Sequence, residues 1–200
     1  MKVKETATPY QPSKKHYTYA DYMQLPDDGM RYEIIEGELF MSPAPIPLHQ
    51  YISGELELQL RLYVKRHQSG QVFDAPIDVV FNDENIVQPD ILFISRENEK
   101  IITEKNIQGA PDLIVEILSP GTAYNDLINK KDLYQKFGVQ EYWIVDPLKQ
   151  WIEIYTVQGQ EYTLHQRASG SGSVASRILE GLTIQLKDIF PKSSEGSQEG

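Results

Sequence analysis

The sequence predicts a mixed α/β domain of the α+β kind, a mixed β-sheet flanked by a few helices. Three observations carry this expectation. Leu113-Ile114-Val115-Glu116-Ile117-Leu118 is an apolar run broken by one acid, which predicts a central strand covered on both faces. Residues 48–66 and 124–137 place apolar side chains at three- and four-residue spacing, so each predicts a helix with one apolar stripe. The other apolar segments are short, rich in β-branched and aromatic residues, and bounded by turn signals, so they predict strands. At 200 residues, 40% hydrophobic and 24% charged, the chain can bury a core of its own.

Residues 1–16 are polar, contain Pro9 and Pro12 and show no periodicity, which predicts a flexible arm. Residues 17–25 predict a short helix: Thr18 and Asp21 stand in a capping-box arrangement, and Pro26-Asp27-Asp28-Gly29 stops it. An N-terminal hairpin follows, with Tyr32-Glu33-Ile34-Ile35, a turn at Glu36-Gly37, then Glu38-Leu39-Phe40-Met41. The alternation of Glu33, Glu36 and Glu38 reads as a solvated face. Pro43, Pro45 and Pro47 break the chain before the first long helix. Its stripe is Leu48, Ile52, Leu56, Leu60 and Tyr63-Val64, and Gly70 is expected to end the segment.

Strands are expected over 72–74, 77–81 and 90–94, with a turn at Asn82-Asp83-Glu84-Asn85. The charged stretch 96–108 predicts a surface loop or partial helix. Ser119-Pro120-Gly121-Thr122 ends the central strand, and Gly138 closes the second helix. Strands over 141–146 and 151–155 are joined by Pro147-Leu148-Lys149-Gln150, and 162–164 adds another. The Gly/Ser-rich stretch 168–173 is expected to be flexible, and 192–200 to be a disordered tail. No repeat or composition shift interrupts 17–191, which predicts a single domain.

Net charge is −10, which counts against a general nucleic-acid binder working by phosphate neutralisation. A local cleft holding Arg31, Arg61, Lys65, Arg66, Lys130 and Lys131 can still be positive within an acidic whole. Cysteine is absent, which removes disulfides, thiolate metal sites and cysteine nucleophiles. No apolar run approaches the roughly 18 residues of a membrane span, and no apolar region follows Met1-Lys2-Val3-Lys4-Glu5. A cytoplasmic protein without a membrane partner is therefore expected. There is no glycine-rich phosphate loop, and His16, His49, His67 and His165 lack zinc-site spacing.

Two acids stand out. Asp90 follows Pro89 and opens the apolar run Ile91-Leu92-Phe93-Ile94, and Glu116 lies inside the central strand. A carboxylate in a buried strand is costly unless it is paired or bound to a cation. If the two strands are neighbours, about 4.8 Å apart, both acids can share one hard cation such as magnesium, with the carbonyl of Ile117 as a third ligand. The bound ion would polarise a phosphate oxygen and acidify a water, which points to metal-assisted phosphodiester hydrolysis. The second helix could add an ammonium group. Its apolar face is centred near Leu127 and Tyr134, and Lys130 and Lys131 flank it about equally, so periodicity does not choose between them. Lys136 points away. Against this stands a bland reading: Asp90 as a turn residue, Glu116 in a salt bridge without metal, and His49 as a surface or capping residue.

The string Ala110-Pro111-Asp112-Leu113-Ile114-Val115-Glu116-Ile117-Leu118-Ser119-Pro120, a helix with Lys130 and Tyr134, and Gly138-Val139-Gln140-Glu141-Tyr142-Trp143-Ile144-Val145-Asp146-Pro147 closely resembles the Uma-type family. Tyr32-Glu33-Ile34-Ile35-Glu36-Gly37-Glu38, His49 and Pro89-Asp90 look like family positions too. The resemblance covers about residues 18–190. It implies a PD-(D/E)XK restriction-endonuclease-like fold and a Mg2+- or Mn2+-dependent endonuclease acting on nucleic acid, DNA first. It implies Asp90 and Glu116 as metal ligands, Lys130 as the assisting lysine, and Glu36 and His49 as accessory members of the site. A homodimer is also implied, with the strands around Trp143 and Trp151 as its candidate contact. One departure from the wider superfamily is visible: its lysine two positions after the glutamate is here Leu118. That departure and the acidic charge favour an alternative, a catalytically silent nuclease-fold dimer acting as a binding or interaction module. A third reading is a structural dimer whose carboxylates merely pair with Lys130.

Overall fold

The computed structural model describes residues 15–119 and 123–191. Most of the expected arm over 1–16, the Pro120-Gly121-Thr122 break and the expected tail over 192–200 lie outside the described residues. The elements in chain order are α1 (Tyr19–Tyr22), β1 (Arg31–Ile35), β2 (Glu38–Ser42), α2 (Pro47–His67), β3 (Gly70–Asp74), β4 (Val79–Asn82), β5 (Asn85–Val87), β6 (Ile91–Ser95), β7 (Ile107–Gln108), β8 (Leu113–Ile117), α3 (Ala123–Phe137), β9 (Glu141–Asp146), β10 (Trp151–Gln158), β11 (Glu161–Ser169), β12 (Ser173–Ala175) and β13 (Thr183–Gln185). Two 3-10 helices, Arg96–Ile101 and Leu186–Asp188, complete the order.

The expected mixed sheet is present as six strands in the order β11-β10-β9-β8-β6-β3. Only β8 and β9 run parallel; the other neighbours are antiparallel. The hairpin belongs to a separate five-stranded sheet, β2-β1-β5-β4-β7, and β12 and β13 form a small third one. Side chains alternate across the six-stranded sheet. Ile91, Phe93, Leu113, Val115, Trp143 and Val145 pack on one face against Ile52, Leu56, Leu60 and Val64 of α2. Leu92, Ile94, Ile114, Tyr142 and Ile144 pack on the other face against Leu133 and Tyr134 of α3, with Ile35, Val79 and Val87 of the five-stranded sheet. Because both faces are covered, β8 is buried at every position and is apolar except at Glu116.

Local rules account for the element ends. Glu36 and Gly37 both take positive φ, 51° and 73°, in the two-residue turn that pairs Ile35 with Glu38. Pro47 starts α2, where its missing N–H is no loss. The left-handed cap of α2 is Gln68, φ 52°, not Gly70, which instead opens β3 against Ser95. Gly70 cannot carry a side chain: a Cβ there would meet the Ile94 carbonyl at 2.0 Å. The first helix is shorter than 17–25, but the Asp21 carboxylate does accept from the Thr18 N–H at 3.1 Å and hydroxyl at 3.0 Å.

Several expectations change. The stretch 168–173 is not a free loop: it ends β11, turns through Gly170-Ser171-Gly172 with a Gly172 N–H to Ser169 carbonyl bond of 3.1 Å, and begins β12. Asn82 to Asn85 turns into β5, not directly into the strand after Asp90. The expected contact around Trp143 is unavailable, because β9 is an interior strand and Trp143 is 0% exposed. Trp151 is covered by the Arg167 guanidinium, 5.0 Å from its ring centre. Among the described residues no helix is long and apolar enough to cross a membrane.

Candidate active site

Antiparallel pairing of β6 with β8 sets Ile91 opposite Val115, which brings Asp90, the residue just before β6, beside the Glu116 end of β8. The two acids border a cleft of about 300 Å³ between the sheets, with Arg31, Glu33, His49 and Lys130 among its walls and Met41 and Pro43 to Ile46 along its rim.

Asp90 is 5% exposed. Its Oδ2 accepts the Ile117 N–H at 2.8 Å and lies 3.1 Å from His49 Nε2, and its Oδ1 accepts from Arg31 Nη1 at 3.3 Å. Burial pushes this carboxyl up, but the His49 ring, the Ile117 N–H and the Lys130 charge outweigh it and hold the group below the usual carboxylate range. His49 Nε2 is also 3.1 Å from the Ile117 carbonyl oxygen. The ring is buried at the first turn of α2, so His49 is not the surface or capping residue of the bland reading.

Glu116 is 7% exposed. Its Oε1 accepts from Lys130 Nζ at 3.1 Å and from the Tyr134 hydroxyl at 2.6 Å. Burial raises its carboxyl to about 8; Lys130 opposes the rise, and the neighbouring Asp90 and Glu33 carboxylates add to it. Burial, then Glu116 and Glu33, keep the Tyr134 phenol protonated, so it remains a donor.

The helix phase resolves what periodicity left open. Lys130 is 4% exposed and turned inward, whereas Lys131 Nζ lies 3.6 Å above the Tyr155 ring on the β10 side. Lys130 Nζ also donates to Glu33 Oε1 at 2.8 Å. Asp90, Glu116, Lys130 and His49 therefore come together. Glu36 does not join them. It occupies the left-handed turn position, its side chain is exposed, and it pairs with Lys136 at 2.8 Å on the surface.

Of the basic residues expected in a positive cleft, Arg31 and Lys130 line this one and Arg61, Lys65, Arg66 and Lys131 do not, and three features of the cleft escape a sequence reading. Glu33, read as part of a solvated face, is 8% exposed, because β1 lies inside a sheet whose inner side is closed by α3 and the six-stranded sheet. The hairpin pattern alone does not show which side of it a second sheet will cover. Arg31, at the start of β1, reaches Asp90 across 59 residues of sequence, and no local signal announces that pairing. Tyr134 marks the apolar face of its helix, but nothing in the spacing shows its hydroxyl meeting Glu116.

Among the described residues no group of three or more His, Asp and Glu side chains is arranged to hold a metal ion alone. The Asp90 and Glu116 carboxylates with the Ile117 carbonyl are nonetheless a hard-oxygen set. Such a set suits an ion like magnesium, which takes one or two carboxylates and retains waters. The crowding of Glu33, Asp90 and Glu116, expressed in the raised Glu116 carboxyl, is relieved by added positive charge.

No curated protein matches the chain. Among solved structures, it is similar to a crystal structure described as "a putative nuclease belonging to DUF820" from Anabaena variabilis ATCC 29413. The two are 25% identical over 86% of this chain and 97% of that one, with a TM-score of 0.72, so the fold is nuclease-like. The Uma2 family model, described as "Putative restriction endonuclease", matches residues 19–187. With most of its length matched in this way, the chain belongs to the Uma2 family.

Proposed function

We propose that the protein is a nuclease that hydrolyses phosphodiester bonds of nucleic acid, DNA first, with the aid of Mg2+ or Mn2+. One observation carries this reading: Lys130 Nζ reaches back from α3 to Glu116 Oε1 at 3.1 Å, beside Asp90, in a buried cleft. Family membership and the nuclease-like fold support it.

Asp90, Glu116 and the Ile117 carbonyl would hold the ion. When bound, it supplies charge neutralisation at a phosphoryl oxygen and a more acidic water. His49 and the Ile117 N–H fix the Asp90 carboxylate, and Tyr134 fixes Glu116. The Lys130 ammonium hydrogen-bonds the incoming water and offsets the negative charge that grows on phosphorus-bound oxygens. Arg31, only partly buried at the cleft and bonded to Asp90 at 3.3 Å, can exchange that partner for a substrate phosphate. Residues 17–191 act as one domain in this reading, in a homodimer whose contact lies elsewhere than β9.

A second reading, the silent interaction module, is favoured by one fact. Every acid of the cleft already has a cationic or imidazole partner: Asp90 has Arg31 and His49, and Glu33 and Glu116 share Lys130. Incubation of the protein with single- and double-stranded DNA and RNA, with Mg2+, Mn2+ or a chelator, separates the two. Metal-dependent cleavage that disappears in Asp90→Ala is the expected result. No cleavage of any substrate, with manganese binding unaffected by Asp90→Ala, would overturn the nuclease.

A further inference from the structure

We infer that Glu33 is a positioning residue that keeps the Lys130 ammonium aimed into the cleft when Glu116 turns to the ion. This rests on the nuclease reading above, but its structural basis is independent of it.

Lys130 is almost wholly buried and stands between two carboxylates from two sheets: Glu116 on β8 at 3.1 Å and Glu33 on β1 at 2.8 Å. A buried ammonium that loses an acid partner is left uncompensated. With an ion bound, Glu116 would serve as its ligand, and Lys130 would keep its second acid, Glu33. Glu33 fills this role without being among the ion's proposed ligands.

Glu33 is itself held in place. Its Oε1 accepts the Gln88 backbone N–H at 2.7 Å. Gln88 lies two residues before Asp90, so one short segment bears Asp90 and fixes the acid that aims the lysine. The Gln88 side chain is tied down in turn, donating to Asp78 Oδ1 at 2.9 Å and to the Tyr22 hydroxyl at 3.1 Å. Tyr22 closes the set by donating to Asp78 at 2.6 Å. An unbroken run of hydrogen bonds thus leads from α1 through Gln88 and Glu33 to Lys130. A solvated acid on a hairpin has no use for such a run.

The test is a double-mutant cycle on the full chain with Glu33→Gln and Lys130→Met. Glu33→Gln should lower kcat by about tenfold or more with KM nearly unchanged. In the Lys130→Met background it should cost nothing further, because residues acting as a unit are not additive. An equal loss in both backgrounds, or a wild-type kcat, would overturn the inference. Labelling with an amine-reactive reagent, read by mass spectrometry, needs no turnover. Glu33→Gln should speed labelling of Lys130 severalfold and leave Lys131 unchanged in protein whose melting temperature is nearly preserved. Unchanged Lys130 labelling would overturn the inference. If the wild type cuts nothing, the nuclease reading falls and labelling alone decides the role of Glu33.

Discussion

The Nε2 atom of His49 lies 3.1 Å from Asp90 Oδ2 and equally 3.1 Å from the carbonyl oxygen of Ile117. One ring thereby ties the first turn of α2 to the end of β8 and to the acid before β6. His49→Ala should destabilise the protein by about 1–3 kcal/mol, the cost of leaving buried polar partners unsatisfied. Urea unfolding at neutral pH measures it. Asp90 titrates below its ordinary 3.8 in the folded state, so its contribution is present above that pH and fades as pH falls. Without His49 the fading should begin at a higher pH.

Glu116 predicts a slope of the opposite sign in a different window. Its carboxyl is raised from an ordinary 4.5 to about 8, so the folded state binds the proton more tightly than the unfolded state does. Its contribution is full below pH 4.5 and is lost as pH rises towards 8. In chelator, the melting temperature should therefore decline across that range, and Glu116→Gln should flatten the decline. A wild-type curve that rises across the same window would contradict the burial assigned to Glu116.

A divalent ion at Asp90 and Glu116 should stabilise the folded chain by mass action. Manganese at a hundred times its dissociation constant is worth about 2.7 kcal/mol, or roughly 5–10 °C in melting temperature for a domain of this size. Asp90→Ala should abolish the rise. Differential scanning fluorimetry with and without metal decides it, and no rise in the wild type would favour the silent module.

Tyr134→Phe removes the 2.6 Å bond to Glu116 and leaves the ring in the core. Removing one partner of a buried carboxyl, largely protonated at neutral pH because burial raises it to about 8, predicts about 1–3 kcal/mol of destabilisation. Comparison with Lys131→Met, which removes the contact over Tyr155 and the attraction to Glu153 and Asp132 but touches nothing in the cleft, gives the control: that variant should stay within about 1 kcal/mol of the wild type.

Much of the fold is legible because long elements carry their own period. Four apolar residues of β8 and the stripe from Ile52 to Val64 need no partner to be recognised. β5, β7, β12 and β13 have two or three residues each, too few to show alternation, and exist because neighbouring strands supply their hydrogen bonds. At the site, Asp90 and Glu116 are legible as acids that apolar surroundings ought to reject. Glu33 is not, since its burial is decided by a second sheet closing over the hairpin. Glu36, three residues on, illustrates the reverse: its turn geometry sends the side chain outward to Lys136.

The lone parallel pair of the six-stranded sheet, β8 beside β9, has a topological consequence. Antiparallel neighbours can be joined by two residues, whereas parallel ones need a crossover of a dozen or more, usually helical. The chain is thus obliged to lay a helix across the face of the sheet immediately after the strand that bears Glu116, and α3 is that helix. Leu118 and Glu116 point to the same face, and Leu118 packs with the α3 side of the core. The crossover therefore serves as a second carrier for an amine that the strand itself could have borne. Position 118 is released to seal the core with leucine, while the acids stay where they are.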